Sequence, residues 1–297
     1  MTAVRPNSMR KLDNAIKKMA ADEKAYVNVR SLIANAIVGQ MIPDGVVKGG
    51  TSLKLRFGDA VTRYTTDLDA ARAKVPRRHD HAEACYTTDL DAARAKGLED
   101  FSDKLNNALA QGWHGFTGRV VPREPAHPDG VPASYVMLPF DVKLSYLSKA
   151  WCTVALEVGH DEIGDADEPE FVIPIEANFY LGRLGFPEIG PIACMPLYHQ
   201  IAQKLHGASE PGSKRAHDLI DLQIIVSVGD VDWGRTRQTC ERLFAYRKQQ
   251  QWPPTIEVGL DWETLYEEQR GNLKIIESVG DAVDWANKLI ARIAEYE

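Results

Sequence analysis

The sequence predicts an α/β (α+β) fold, a mixed sheet with flanking helices followed by a C-terminal helical domain. Three observations carry that reading. Short Val-rich apolar runs alternate with helix-period stretches between Met9 and Val158. Past the Pro191 to Pro196 region, apolar residues recur at helical spacing from Leu197 onward. A chain of 297 residues that is 44% hydrophobic can bury two cores, expected over residues 1–190 and 191–297.

Taken in order, Met9 to Ala20 reads as a helix. Val29 to Met41 carries Val29, Leu32, Ile33, Ala36 and Ile37 at helical spacing until Pro43 and Gly45 stop it. Val46 and Val47 open a strand, Thr51 to Phe57 is expected as a helix after a glycine turn, and Val61 to Ala70 as the next strand. Phe101 to Ala110 reads as a short helix. Tyr135 to Tyr146 and Trp151 to Val158 read as paired strands joined by Leu147-Ser148-Lys149. In the second of them Cys152, Val154, Leu156 and Val158 share one face and Glu157 lies on the other. Beyond, Leu197, Ile201 and Leu205 form one helical stripe and Leu219, Leu222, Ile225 and Val226 another.

Composition narrows the function. A net charge of −7 argues against an indiscriminate nucleic-acid binder. Local charge differs: Arg5, Arg10, Lys11, Lys17, Lys18, Lys24 and Arg30 make the N-terminal segment basic, and Arg72, Lys74, Arg77, Arg78, Arg94 and Lys96 form a second basic group. The first is a solvated helix face or an RNA-contacting one. No apolar run reaches 18 residues and no hydrophobic stretch follows the N-terminal charges, so a cytoplasmic protein without membrane contact is expected. Cys85, Cys152, Cys194 and Cys240 are scattered and form no C-x-x-C, and His79 and His81 near Cys85 lack a fourth ligand at zinc spacing. Neither a Walker A loop nor G-x-S-x-G occurs.

The most specific chemistry lies in Lys48-Gly49-Gly50-Thr51-Ser52 and Arg63-Tyr64-Thr65-Thr66-Asp67-Leu68-Asp69. On an extended segment Asp67 and Asp69 share one side while Leu68 enters the core. Two hard oxygen ligands at that spacing suit Mg²⁺, which is commonly held by one or two carboxylates plus the phosphates of its substrate. The glycines let backbone N–H groups approach a triphosphate, and the Thr51 and Ser52 hydroxyls can add hydrogen bonds.

Lys48-Gly49-Gly50-Thr51, Leu53, Leu55-Arg56, Gly58, Arg63, Thr65 and Asp67-Leu68-Asp69 together resemble the first motif of the AbiEii/AbiGii-type nucleotidyltransferase toxins, which include the MenT group and belong to the DNA polymerase β nucleotidyltransferase superfamily. Ala202-Gln203-Lys204-Leu205-His206 and Arg215-x-x-Asp218-x-x-Asp221-Leu222 resemble its third and fourth motifs, and Phe244-x-x-Arg247, Pro253-Pro254 and Trp262-x-x-x-Tyr266 continue the likeness. The resemblance implies a nucleotidyltransferase domain over 1–190, with the helical domain closing over its cleft. It implies Mg²⁺ or Mn²⁺ on Asp67 and Asp69, NTP as substrate, tRNA as acceptor and a cognate antitoxin. Lys48, Gly49, Gly50, Thr51, Ser52, Arg63, Thr65, Arg215 and Asp221 become nucleotide-binding residues. Lys204 becomes a phosphate-contacting cation, and Asp218 helps activate the acceptor hydroxyl or orients Lys204. The superfamily also implies a third carboxylate on a neighbouring strand, for which Glu157 and Asp141 are the candidates. A protein side chain as acceptor, or nucleotide binding without turnover, remains the alternative.

Tyr64 to Lys74 and Tyr86 to Lys96 are the identical eleven residues YTTDLDAARAK, offset by 22. The spacing from Gly50 that resembles the family selects Asp67 and Asp69, so Asp89 and Asp91 are expected to be bystanders. In the opposite assignment the second copy takes the strand and the first becomes loop.

Overall fold

A computed structural model describes residues 4–65, 67–72, 87–125, 137–159 and 162–296, with residues 87–98 described by their backbone alone. Two compact units appear: Met1–Val47 with Thr66–Cys194, and Lys48–Thr65 with Met195–Glu297. In chain order the elements are α1 (Met9–Met19), α2 (Glu23–Gly39), β1 (Gly45–Lys48), α3 (Gly49–Phe57), β2 (Leu68–Arg72) and α4 (Thr87–Gln111). They continue with β3 (Phe116–Pro122), β4 (Leu138–Tyr146), β5 (Lys149–Gly159), β6 (Glu170–Val172), α5 (Ile175–Arg183), β7 (Ile192–Cys194) and α6 (Leu197–Ser209). Last come α7 (His217–Val228), α8 (Trp233–Arg247), α9 (Trp262–Arg270) and α10 (Val279–Ala294).

The first unit is built on one mixed sheet, ordered β3-β4-β5-β2-β1-β7-β6. β2 runs parallel to β5 and β1 parallel to β7, while β3 to β4, β4 to β5 and β6 to β7 are antiparallel. Side chains start two of its helices: Ser8 Oγ accepts from Lys11 N at the head of α1, and Asp22 Oδ1 accepts from Ala25 N at the head of α2. The β4–β5 hairpin turns on Leu147 and Ser148, both left-handed with φ of 47° and 63°, the handedness that matches the twist of the flanking strands. At one end of the sheet the buried Phe116 ring lies 4.7 Å from Tyr146, 5.1 Å from Trp151 and 5.3 Å from Phe186. Polar tips tie this cluster to the N-terminal segment, Tyr146 Oη donating to Pro6 O at 2.5 Å and Trp151 Nε1 to Asp13 Oδ1 at 2.9 Å. The basic N-terminal segment is partly engaged there: Arg5 lies over Phe186, and Lys17 and Arg30 over Tyr26.

The second unit gathers α3 and α6 to α10 around α7, whose residues Asp218 to Ile225 are all buried. A helix buried on every side reads as apolar all round, and α7 does so apart from the charges discussed below. Gln223 anchors it: Gln223 Nε2 donates to Tyr266 Oη at 3.0 Å, Tyr266 Oη donates to Ile276 O at 2.7 Å, and Ile276 N donates to Gln223 Oε1 at 2.9 Å. Trp262 Nε1 donates to Ser213 O at 2.6 Å, so Trp262 and Tyr266 act as packing anchors.

Several expected bounds move. The expected strand at Val61 to Ala70 begins only at Leu68, because Gly58 (φ 84°) and a Thr62 Oγ1 bond to Gly58 O at 2.7 Å fold residues 58–62 into a turn. The expected helix at Thr51 starts at Gly49, so the glycines form its first turn instead of preceding it. Phe101 to Ala110 is the C-terminal part of the 25-residue α4, and the second YTTDLDAARAK copy, from Thr87, forms the beginning of that helix. Tyr135, His79, His81, Cys85 and residues 73–86 of the second basic group lie outside the described residues. Cys152, Cys194 and Cys240 are free thiols, and burial pushes Cys152 up to about 12. Among the described residues no helix is long and apolar enough to cross a membrane.

Phe116 organises the aromatic cluster, so Phe116→Ala is expected to cost about 3–5 kcal/mol and Phe116→Leu distinctly less. Urea denaturation checks this, and a loss below about 1 kcal/mol for Phe116→Ala would show that the cluster packs without it.

Candidate active site

In the first unit the parallel register sets Asp69 opposite Glu157, flanked by Leu68 opposite Leu156 and Ala70 opposite Val158. Leu68, Leu156, Ala70 and Val158 are buried, so the pleat turns both half-buried carboxylates to the other face. Asp67 is exposed and sits one residue ahead of the strand, so the pleat does not fix its direction. Asp141 is opposite Ala155 and already engaged by Lys143 Nζ at 2.7 Å and Arg123 Nε at 3.4 Å. Register thus favours Glu157 over Asp141 as the neighbour of Asp69. Among the described residues no three His, Cys, Asp or Glu side chains converge as a metal cage. The donor chemistry still fits a hard divalent cation, since two adjacent carboxylates completed by substrate phosphates are a common Mg²⁺ arrangement.

In the second unit Lys48 caps α3 without a side-chain bond, and Gly49 is left-handed at φ 65°. The first N–H groups of any helix have no partner within it and carry the positive end of its dipole, which suits a phosphate. A Cβ on Gly50 would lie 3.0 Å from Arg63 Nη2 and 3.4 Å from Thr65 Cβ, so only glycine fits there without displacing its neighbours. Thr51 and Ser52 are buried, and Ser52 Oγ accepts from Gln200 Nε2 at 3.1 Å. That glutamine also donates to Met195 O at 3.2 Å, tying α3 to α6. Gln200 was not among the expected residues; its signal is its place four before Lys204, on the same face of α6.

Lys204, expected at the surface unless it meets phosphate, is 4% exposed. Its Nζ donates to Asp218 Oδ1 at 3.1 Å and to Asp221 Oδ2 at 2.6 Å. Asp221 in turn holds Arg63 by two bonds, from Nε at 2.9 Å and Nη2 at 3.1 Å. Asp218 Oδ2 accepts from Arg215 Nε at 2.6 Å, and Arg215 lies so close over α6 that a Cβ on Gly207 would fall 2.5 Å from its Nε. Burial alone would raise both carboxyls. For Asp218 the charges of Arg215 and Lys204 outweigh it, and for Asp221 those of Lys204 and Arg63, so both are held below the usual carboxylate range. Asp218 is fully buried and committed to two cations, the geometry of a residue that orients Lys204.

Two histidines border this network. His217 Nε2 lies 3.7 Å from Asp218 Oδ1, yet burial lowers its pKa to about 4. His206 packs 4.9 Å from Phe244 and meets Arg247 Nη1 through Nδ1 at 3.2 Å; burial, then Arg247 and Arg215, bring it down to about 3.

The first unit thus holds carboxylates side by side on a mixed sheet, and the second a glycine-started helix and a buried lysine bound to two aspartates. The chain belongs to the family described as "Nucleotidyl transferase AbiEii toxin, Type IV TA system", whose model matches residues 39–287, and is therefore a nucleotidyltransferase of a toxin–antitoxin system. No curated protein matches the sequence. Among solved structures the chain is similar to MenT4, a nucleotidyltransferase toxin from Mycobacterium tuberculosis H37Rv, at 14% identity and a TM-score of 0.49, covering 97% of this chain and 98% of that one. It is also similar to JHP933 from Helicobacter pylori, at 14% identity and a TM-score of 0.43, covering 92% and 93%.

Two measurements follow from the network. A base whose folded pKa is depressed stabilises the fold above its unfolded pKa and loses that contribution as pH falls. For His206 the window runs from about pH 6.5 down to the folded pKa of about 3. The stability of the wild type should therefore decline with acidification across that window, by up to about 1.4 kcal/mol per pH unit for this one proton. His206→Gln should flatten the profile, read from urea midpoints at successive pH values; an unchanged slope would place the acid sensitivity elsewhere. Separately, Lys204→Met leaves two buried carboxylates short of a cation and should cost about 3–5 kcal/mol at pH 7, and a loss under about 1 kcal/mol would mean that water reaches the pair.

Proposed function

We propose that the enzyme transfers a nucleoside monophosphate from an NTP to an RNA acceptor, the 3′ end of tRNA, and so blocks translation until a cognate antitoxin relieves it. The observation that carries this reading is Lys204, a cation held in fixed position by Asp218 and Asp221 within the unit that also contains the N-terminus of α3. The acceptor hydroxyl oxygen bonds to the α-phosphorus, the bond from that phosphorus to the pyrophosphate oxygen breaks, and the hydroxyl proton leaves to solvent. Lys204 and Arg63 offset charge on the phosphates, a role in which a fixed cation is worth more than a mobile one. Gly49, Gly50 and Thr51 offer backbone N–H groups, with Lys48, Thr65 and Arg215 as further phosphate contacts. Asp67, Asp69 and Glu157 would hold Mg²⁺ or Mn²⁺, whose chemistry is to neutralise the triphosphate and polarise its α-phosphorus. Asp89 and Asp91, in the helical copy of the repeat, take no part.

Incubation with labelled NTPs, first with total RNA and then with total protein, tests this directly. Label is expected in RNA; label confined to protein would move the acceptor to a side chain, and label in neither would leave a nucleotide-binding module. Asp69→Ala should abolish transfer with the fold intact, Asp91→Ala should leave it at wild-type level, and equal loss in both would overturn the choice between the two copies. Lys204→Ala should lower turnover per folded molecule on the order of 10²-fold.

A further inference from the structure

The C-terminal end of α8 opens into a cavity of about 800 Å³ that belongs wholly to the second unit and shares no residue with the network around Lys204. Its lining includes Phe244, Lys248, Gln249, Gln251 and Trp252, with Glu241 at the rim. The aromatic part is fixed. Phe244 is 1% exposed, held between His206 at 4.9 Å and the half-buried Trp252 ring at 5.3 Å and 62°. The loop is pinned as well, because Gln250 Oε1 accepts from Ser209 Oγ at 3.1 Å while Gln250 Nε2 reaches His206 O at 3.4 Å. Lys248 turns the chain in a left-handed conformation, φ 57°, which leaves Gln249 and Gln251 exposed on either side of the tethered Gln250.

The lining chemistry selects among ligands. A cationic ligand is disfavoured, since the one carboxylate in the lining, Glu241, is paired with Arg237 at 2.9 Å and Lys248 is positive. A purely apolar ligand would make no use of the two glutamine amides. An aromatic ring, primary amides that both donate and accept, and one cation together match a nucleobase carried on a phosphate backbone: the ring stacks, the amides meet base edges and the lysine meets phosphate. The volume lies within the range of small-ligand sites and exceeds what one base needs, leaving room for its sugar and phosphate.

We propose that this cavity is a nucleobase-binding subsite for single-stranded RNA, using Trp252 as the stacking surface, Gln249 and Gln251 as edge contacts and Lys248 as the phosphate contact. It deepens the reading of an RNA acceptor and rests on it, supplying a hold on the acceptor strand through none of the groups assigned to phosphoryl transfer.

The test uses the purified full chain and a fluorescent ten-nucleotide single-stranded RNA of mixed sequence, followed by anisotropy, with the same RNA as a duplex for comparison. The single strand is expected to bind better than the duplex. Trp252→Ala should weaken binding by roughly 10-fold to 100-fold and Trp252→Phe by no more than about threefold, as for loss and retention of one stacking contact. Lys248→Glu, at an exposed position where folding is not at stake, should weaken binding and flatten its salt dependence. Wild-type affinity in both Trp252→Ala and Lys248→Glu overturns the proposal, as does a wild type that binds no single strand. Labelled transfer separates this failure from that of the broader reading. Transfer to RNA with unchanged affinity in both variants sinks the subsite alone, whereas Trp252-dependent RNA binding with label found only in protein sinks the RNA acceptor and leaves the subsite standing.

Discussion

The second unit depends on one buried cation. Lys204 Nζ sits between Asp218 and Asp221, and each aspartate passes the interaction outward, one to Arg215 and the other to Arg63. Much of the local structure follows. α6 and α7 must face each other where these side chains meet, and Arg215 can cross α6 only because Gly207 has no side chain. Arg63 reaches Asp221 from the segment after the Gly58–Thr62 turn. A side chain at Gly50 would press on Arg63, which lies against it. A charge pattern on two helices thereby fixes the entry to a third.

The two copies of YTTDLDAARAK show how far context outranks local preference. Ala, Leu, Arg and Lys favour helix, and the copy from Thr87 follows that preference into α4. The first copy has the same composition, yet its Leu68–Arg72 forms β2, because Leu68, Ala70 and Ala71 find a parallel partner in β5 and are fully buried there. Pairing and burial outweigh the few tenths of a kcal/mol per residue that propensity can offer.

What the sequence made legible divides along the same line. The period of apolar residues located α2, the β4–β5 hairpin, α6 and α7, since those patterns are local and regular. Glu157 was readable as the off-core residue of its strand, and Asp218 and Asp221 as neighbours on one helix, from spacing alone. The burial of Lys204 was not readable. Its partners lie 14 and 17 residues away, on a different helix, and the Arg63 to Asp221 pair spans 158 residues. A lone lysine in an apolar stripe becomes intelligible only when the compensating carboxylates are known.

Packing alone does not explain why α7 keeps two aspartates. Leu219, Ile220, Leu222, Ile224 and Ile225 already make it an apolar helix buried from Asp218 to Ile225, and each carboxylate taken from water costs several kcal/mol before any partner repays it. Buried ion pairs are often neutral or unfavourable against hydrophobic residues of the same size, so leucines at 218 and 221 together with an apolar residue at 204 would serve the core as well or better. What leucines could not supply is a lysine whose ammonium is fixed by two acceptors and an arginine clamped through both sides of its fork. Fixed cations need no reorganisation when phosphate charge shifts during transfer, and that preorganisation is where electrostatic catalysis gains most. With Lys204 and Arg63 in the role proposed above, the cost to stability and the gain to chemistry would have the same source, and the aspartates of α7 hold both cations.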